Sequence, residues 1–504
     1  MRKRSIEIAA CAVALALLVG ACSDDGLGLD AVNVPTTVSD IVVTSEPAPT
    51  TSAVRRTTTS TTVATSSTVP STTTTTVPPV PVETAWALGY TGGVAAPAAG
   101  DPVRIGYVNQ EEFFPEATAG LEAAIAFVNT ELGGAAGRPI EVVRCEVATI
   151  DDGAKCGQQF ADDPTIVLVA TGTILFGAGG LYDALNGKKP VLIGNGVTTD
   201  DFTTTAGLTF SLGSVNVIPA LALFATQDLD PAPASAALLY SDNTARRNAV
   251  EFLVQPVFEA AGIATTLVPV PDGVAAADLV QSIQAAGAEL ADVFVPVVTV
   301  QNCIAVYDAI ELLAIEPAVV TTGLCAGPPM TAHLAALGIA DPVPDGWYFA
   351  GNGYNFFAPD ETSGMLTYVT KVRQYAPVPD VAPGQESTTS LAPPTSVGAV
   401  PPPAAADHTG FGATVFANVL TFAKFANALG PVALASTALA SSALEAQMRS
   451  FTGPMMLQAG ELECGIEPYI AVCGHVAGVQ QYLAGEWTAI ADGTNGRAID
   501  VRSS

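Results

Sequence analysis

The feature that most constrains this chain is the alternation of short apolar runs with amphipathic segments that begins at Val103. Residues 103–108 read as a buried strand. Residues 116–132 follow with Leu121, Ile125, Val128 and Leu132 at helical spacing, closed by Gly133-Gly134 as a C-cap. A strand at 140–144, a helix opening near Asp151-Asp152, a strand at 166–170, a helix from about Gly180 and a strand at 190–193 continue the rhythm. It resumes with 236–240, a helix over 244–261, then 265–270, 275–286, 293–298, 302–313 and 318–321. Strands separated by single helices require parallel sheets with crossover connections. There are too many such units for one sheet, so the expected fold class is α/β, with two doubly wound parallel-sheet lobes. Residues 376–406 are Pro-rich, break the pattern and read as a surface insertion. Beyond them, 410–429 and 437–451 read as helices, and 479–483 with 487–490 as a terminal hairpin turning at Ala484-Gly485.

Ahead of the alternation stand two segments of a different kind. Arg2, Lys3 and Arg4 precede an apolar run over residues 8–21. That run is too short for a membrane span, which needs about 20 residues, and reads as a cleaved signal over 1–21. Leu18-Val19-Gly20-Ala21 directly before Cys22 is the small-residue approach that lipoprotein signal peptidase accepts, which makes Cys22 the lipidation site. A plain secretory signal cut after Ala21 is the alternative. Between Thr57 and Thr76, 16 of 20 residues are Ser or Thr, and Pro70, Pro78, Pro79 and Pro81 interrupt regular structure. Such a segment buries too little apolar surface to offset its ordering entropy, so 22–84 reads as a disordered tether.

The remaining length is enough for two lobes. A formal net charge of -29 excludes nucleic acid as a partner, because phosphate binding needs a basic surface. Of the eight cysteines, Cys11 leaves with the signal and Cys22 takes the lipid. The others fall as Cys145 and Cys156, Cys303 and Cys325, Cys464 and Cys473, and three sequence-local disulfides are the simplest pairing for an exported chain. No pair has Cys-x-x-Cys spacing and His333, His408 and His475 are scattered, so neither a metal nor a cofactor is expected.

Residues 104–222 resemble the type I periplasmic-binding proteins of the branched-chain amino-acid receptor class. The likeness rests on Ile105-Gly-Tyr-Val108, the helix ending Asn129-Thr-Glu-Leu-Gly-Gly134, the following Gly137-Arg-Pro-Ile-Glu-Val, and on 167–172 and 190–198. The tail from Leu462-Glu-Cys-Gly465 to Trp487 is similar to a cysteine-bearing variant of that family. The resemblance implies a clamp with lobe I at 101–215 and 345–455, and lobe II at 216–344 and 456–504. Three hinge crossings would lie near Ser214, Gly346 and Gly453, with a small ligand between the carboxyl ends of the two sheets.

Each candidate contact has a structural alternative. Thr171, Gly172 and Thr173 follow a strand and precede a helix, whose N-terminus attracts carboxylates; they could equally be an ordinary N-cap. Gly194-Asn195-Gly196-Val197-Thr198 aligns with the family's second binding segment. Phe113 and Phe114 lie in the first strand-to-helix loop, as an aromatic lid or as packing. In lobe II the aligned positions hold Ala245 or Arg246, Val298 or Thr299, and Leu324, so the family's ammonium-binding carboxylate is missing. Arg246 or Arg247 could instead meet an anionic ligand, or both could be solvated on a helix.

Gly323-Leu324-Cys325-Ala326-Gly327 has nucleophile-elbow spacing with Cys for Ser, but no histidine partners it and Cys303 offers a disulfide. The expected function is therefore not enzymatic. It is that of a lipid-anchored, extracytoplasmic, monomeric solute-binding protein that captures a small polar or amphipathic molecule for an ABC-type permease. A tethered sensor with the same fold is the second reading, and a Cys hydrolase the third.

Overall fold

The computed structural model describes residues 80–351, 364–375, 410–456, 460–488 and 497–503. The signal at 1–21, Cys22, most of the tether and the insertion at 376–406 lie outside the described residues. The tether's expected end is corrected: helix α1 (Val82–Thr91) includes residues 82–84, and Thr84, Ala87 and Thr91 are buried. Trp86 and Tyr90, one helical turn apart, stack at 5.2 Å, and the Tyr90 hydroxyl meets Thr421 at 2.7 Å. An apolar face that docks onto a distant helix lifts this segment out of the polar run preceding it.

Five strands make the first sheet: β1 (Val103–Asn109), β2 (Ile140–Glu146), β3 (Ile166–Thr171), β4 (Val191–Ile193) and β5 (Gly207–Thr209). Their order is β2-β1-β3-β4-β5, parallel throughout. Every residue of β3 and β4 is buried, which requires cover on both faces and explains their unbroken apolar runs. The connecting helices are α2 (Pro115–Glu131), α3 (Asp152–Asp162), α4 (Ala178–Leu185) and α5 (Thr199–Thr203). Pro115 opens α2 at a position whose N–H would be unpaired in any case.

The chain then enters α6 (Gly213–Gln227), whose Leu221 and Phe224 share a core with Val295 and Val479 of the second sheet. That sheet begins with β6 (Ser235–Ser241). The helix expected over 244–261 is three pieces: α7 (Thr244–Ala249), a π-helical turn (Val250–Val254) and α8 (Gln255–Ala260). Pro256, at the start of α8, has no N–H for the ladder, and the helix re-forms its bonds around that break. β7 (Ala264–Val270), α9 (Ala276–Ala286), β8 (Val293–Val297), α10 (Val300–Leu313), β9 (Ala318–Thr322) and α11 (Pro328–Ala336) follow.

Two boundaries between the lobes differ from expectation. β10 (Tyr348–Gly351) pairs in parallel with β9, so the second sheet reads β7-β6-β8-β9-β10, wound as the first is. Residues 345–351 therefore belong with lobe II, and the chain does not leave that lobe at Gly346 as expected. Conversely, Val472 forms a parallel bridge with Thr209, and Cys473 donates its N–H to the Thr209 carbonyl at 2.9 Å. The segment around 471–473 thus extends the first sheet beyond β5, although 456–504 was expected in lobe II. The third crossing lies at Gly474-His475 rather than near Gly453. There Asn216 of α6 donates to the Gly474 carbonyl at 2.7 Å, tying two crossings together. β11 (Val476–Leu483) then adds antiparallel to β10 and carries β12 (Glu486–Thr488) and β13 (Arg497–Asp500), both antiparallel. The turn expected at Ala484-Gly485 joins β11 to β12.

Helices α12 (Gly364–Tyr375), α13 (Phe411–Ala433) and α14 (Thr437–Ser450) complete lobe I. Of the described helices, α13 alone is long and apolar enough to cross a membrane. Its run from Gly412 to Ala423 is buried on every side, the pattern of a core helix. It crosses α2 closely, because a Cβ on Gly120 would lie 2.2 Å from the Gly412 carbonyl oxygen. The disulfides are Cys145–Cys156, Cys303–Cys325 and Cys464–Cys473, the sequence-local pairing.

Candidate functional site

In a doubly wound sheet the crevice opens beyond the carboxyl ends of the strands at the point where the winding reverses. Here those points lie between β1 and β3, and between β6 and β8. On the first side, Asn109 ends β1 and organises two loops. Its amide nitrogen donates to the Phe114 carbonyl at 2.9 Å, and its oxygen accepts the Thr173 N–H at 2.9 Å. Gly172 lies so close that a Cβ there would stand 2.3 Å from that oxygen. The Thr173 hydroxyl accepts from Asn195 at 3.1 Å, and the Thr171 hydroxyl accepts the Gly194 N–H at 3.1 Å.

These bonds correct one expectation. α4 begins at Ala178 with Gly177 as its cap, so Thr171, Gly172 and Thr173 do not stand at a helix N-terminus. Their polar groups hold strand-end loops together instead.

The second loop has its own brace. Asp201 accepts the N–H groups of Val197 and Thr198, each at 3.0 Å, while the Thr198 hydroxyl accepts the Asp201 N–H at 3.2 Å. The Tyr182 hydroxyl donates to the other carboxylate oxygen. Thr198 is thus the N-cap of α5, a reciprocal box of two hydrogen bonds. Burial pushes the Asp201 carboxyl above its ordinary value, although these donors pull against it. Gly196 is pressed against the Phe202 ring, and its carbonyl accepts the Ser214 N–H at 2.9 Å.

Three buried side chains at this end keep unpartnered polar atoms, one of them the oxygen of Asn418, whose nitrogen donates to the Ile193 carbonyl at 3.1 Å. Gln110 directly follows β1, and its amide nitrogen has no hydrogen-bond partner; the same holds for the Asn195 oxygen. Asn195 uses its nitrogen on Thr173 and on the Phe411 carbonyl, the latter at 3.1 Å. Phe411 also meets Phe114 edge to face at 4.9 Å, while Phe113 is 53% exposed. Phe114 therefore packs into the wall, and Phe113, tilted against it at 6.4 Å, keeps about half of its surface exposed.

The second side is knitted in the same manner. The buried Ser241 hydroxyl, at the end of β6, accepts the Thr299 N–H at 3.1 Å and the Asn302 amide at 3.2 Å. Asn302 in turn accepts the Gly273 N–H at 2.9 Å and donates to the Pro271 carbonyl at 2.9 Å. Asp272 accepts from Asn243 and from the Thr299 hydroxyl, each at 3.3 Å. Val298 is buried in the core, which leaves its side chain no surface for a ligand, whereas Thr299 beside it is half-exposed. Leu324 is half-buried on a short 3-10 turn, Gly323–Ala326. Cys325 is bonded to Cys303 and offers no thiol as a nucleophile.

Arg247 pairs with Asp242. Arg246, the third residue of α7, is half-buried and makes neither a hydrogen bond nor an ion pair with its side chain. Burial holds its guanidinium below the ordinary value, and the nearby charge of Asp272 opposes this. No group of three or more His, Cys, Asp or Glu side chains that could hold a metal occurs among the described residues. Sequence reasoning missed Asn109, Gln110, Ser241, Asp272 and Asn302. The signal was available in part, since Asn109-Gln110 and Ser241-Asp242 are the first polar pairs after apolar strands.

No family model matches the sequence, nor does any curated protein. Solved structures do match. A Rhodopseudomonas palustris ABC-transporter solute-binding protein in complex with 4-hydroxybenzoate is 14% identical, with a TM-score of 0.56 over 79% of this chain and 97% of that one. The branched-chain amino acid transporter substrate-binding protein LivJ of Streptococcus pneumoniae, in complex with isoleucine, is 12% identical, with a TM-score of 0.52 over 79% and 100%. A fatty acid ABC transporter substrate-binding protein from Thermomonospora curvata is 11% identical, with a TM-score of 0.53 over 81% and 94%. The chain has the type I periplasmic-binding-protein fold, with two lobes built on doubly wound sheets.

Proposed function

We propose that this chain is an extracytoplasmic solute-binding protein, held at the membrane by a lipid on Cys22, that captures a small molecule between its lobes for an ABC-type permease. The observation that carries the reading is the set of unpartnered buried polar atoms, on Gln110, Asn195 and Asn418, at the carboxyl ends of β1 and β4. Buried polar groups are nearly always bonded, and those left over at a crevice mark where a ligand or its water completes the set. The proteins of like fold bind 4-hydroxybenzoate, isoleucine or fatty acids, which supports a small amphipathic solute. The protein performs no chemistry. Affinity arises from burial of the solute and from the shift of the lobes toward a closed state.

Native mass spectrometry of the full chain, purified in detergent and compared before and after mild denaturation, tests the binding claim. A released small molecule is expected; a chain that carries none and is not stabilised by any of a broad solute panel refutes it. Cys22→Ala tests the anchor, and should move the protein from the membrane fraction to the medium. Deletion should abolish uptake of one solute, whereas altered transcription with uptake intact would make the protein a sensor.

A further inference from the structure

The third crossing between the lobes carries a buried histidine whose two ring nitrogens are both in use. His475 is 6% exposed. Its Nε2 lies 2.8 Å from the Glu463 carbonyl oxygen, and its Nδ1 lies 3.2 Å from the Asn216 amide nitrogen. A carbonyl only accepts, so Nε2 carries the hydrogen; an amide nitrogen only donates, so Nδ1 offers its lone pair. The neutral ring protonated on Nε2 is therefore the form that satisfies both partners. The orientation of Asn216 is equally fixed, because the same amide nitrogen donates to the Gly474 carbonyl at 2.7 Å.

The surroundings decide which partner gives way when the ring gains a second proton. The Glu463 carbonyl is pinned: the Glu463 N–H donates to the Cys473 carbonyl at 3.0 Å, and the adjoining Cys464 is bonded to Cys473. The His475 backbone is held as well, its carbonyl accepting the Val501 N–H at 2.9 Å. Asn216, near the start of α6, can turn its amide over by rotation about one side-chain bond. A charged ring also presents an N–H on Nδ1, which the Asn216 nitrogen cannot accept. Turning the amide gives that N–H an oxygen, and sets the same oxygen against the Gly474 carbonyl, acceptor facing acceptor. The bond lost is the one that ties the two crossings. The charged side chains beside the ring are Glu463 and Asp500, bridged by Arg502 at 2.9 and 2.6 Å, while α6 carries none. Two carboxylates against one guanidinium leave a net negative charge there, which favours a cation. Histidine is the side chain whose ordinary charge change falls between about pH 5 and 8.

We propose that His475 is a proton switch in the hinge: charging it turns the Asn216 amide, frees the Gly474 carbonyl, and shifts the lobes away from the arrangement described above. The switch goes beyond the solute-binding reading and stands on the two-lobe fold, whatever the solute. The test measures the separation of the lobes by pulsed electron resonance on the full chain in detergent, at about pH 5.5 and pH 7.5, within the histidine range. Spin labels are carried by Ala446→Cys in α14 of lobe I and Leu290→Cys in lobe II, both exposed positions. His475→Gln, Asn216→Asp and His333→Gln are run beside the parent, with circular dichroism to show that each is folded. His333 pairs with Asp308 at 2.7 Å, away from the hinge.

The parent's distance distribution should change between the two pH values, the ratio of lobe arrangements moving about two- to tenfold for the exchange of one hydrogen bond. His475→Gln, neutral at every pH, should keep the parent's neutral-pH distribution at both values. Asn216→Asp, which offers only acceptors to His475 and Gly474, should show the acid distribution at both. His333→Gln should respond as the parent does. A parent distribution that ignores pH, or a response that survives in His475→Gln or is lost in His333→Gln, would overturn the switch. So would an Asn216→Asp variant that matches the parent at both pH values. Each of these leaves the solute-binding reading standing.

Discussion

Asp201→Ala probes how the loop at 194–198 is held. Asp201 is 2% exposed and takes three hydrogen bonds, from Val197, Thr198 and the Tyr182 hydroxyl. Losing the reciprocal cap on α5 costs about 1 kcal/mol. Leaving the buried Tyr182 hydroxyl without an acceptor costs a further ~1–3 kcal/mol. The expected loss is therefore about 2–4 kcal/mol in all. Asp201→Asn keeps an amide oxygen for the two N–H groups and removes the buried charge, so its loss should be about 1 kcal/mol or less.

The pH dependence has a definite sign. Burial raises the Asp201 carboxyl, so the folded state holds that proton more tightly than the unfolded chain does. Its contribution is fully present below the ordinary carboxylate range and is lost as pH rises through the folded value. The gap between parent and Asp201→Ala should thus be wider near pH 4 than at pH 7. Urea midpoints followed by circular dichroism over that range measure it. A gap below about 0.5 kcal/mol, within the usual span of surface substitutions, or one that widens with rising pH, would refute this account of the loop.

Three further outcomes follow from packing and charge. Lys371 is buried, binds Glu131 at 2.9 Å and sits over the Phe127 ring, so Lys371→Ala should cost about 1.5–3 kcal/mol, the worth of a hydrogen bond to a charged group. Burial pushes the Glu131 carboxyl up, but hydrogen bonds from Tyr375, Lys371 and Thr84 together hold it below the ordinary value. Its stabilisation should be present at neutral pH and fade as pH falls through the folded value, a slope that denaturation of Lys371→Ala should show diminished. Gly120→Ala drives a methyl into the Gly412 carbonyl and should lower stability by about 1–3 kcal/mol. Gly89→Ala, in the exposed face of α1 with nothing within 4 Å of the new methyl, should raise it by about 0.4–1 kcal/mol; equal melting shifts for the two would refute the close-crossing argument. Deleting residues 80–91 strips α1 from Thr421 and Lys424, and should both lower the melting midpoint and leave the remaining fold intact by circular dichroism.

By itself the sequence determined what is local. Apolar runs over 103–108, 166–170 and 293–298 could be read as buried strands because both faces of those strands are covered, so no alternation is needed to recognise them. Cysteines 9, 11 and 22 residues apart close short loops, and their pairing needed no knowledge of the fold.

Tertiary structure decided the rest. β10 has four residues, too few for a pattern, and joins lobe II only because β9 and β11 offer it ladders on both edges. Residues 471–473 lie with lobe I through backbone bonds to Phe202 and Thr209, and backbone groups carry no sequence signature. α1 stands as a helix through a face docked more than 300 residues away along the chain. The same holds at the site. Arg246 and Arg247 are adjacent and chemically alike in the sequence, and only the fold gives Arg247 a carboxylate while leaving Arg246 half-buried without one.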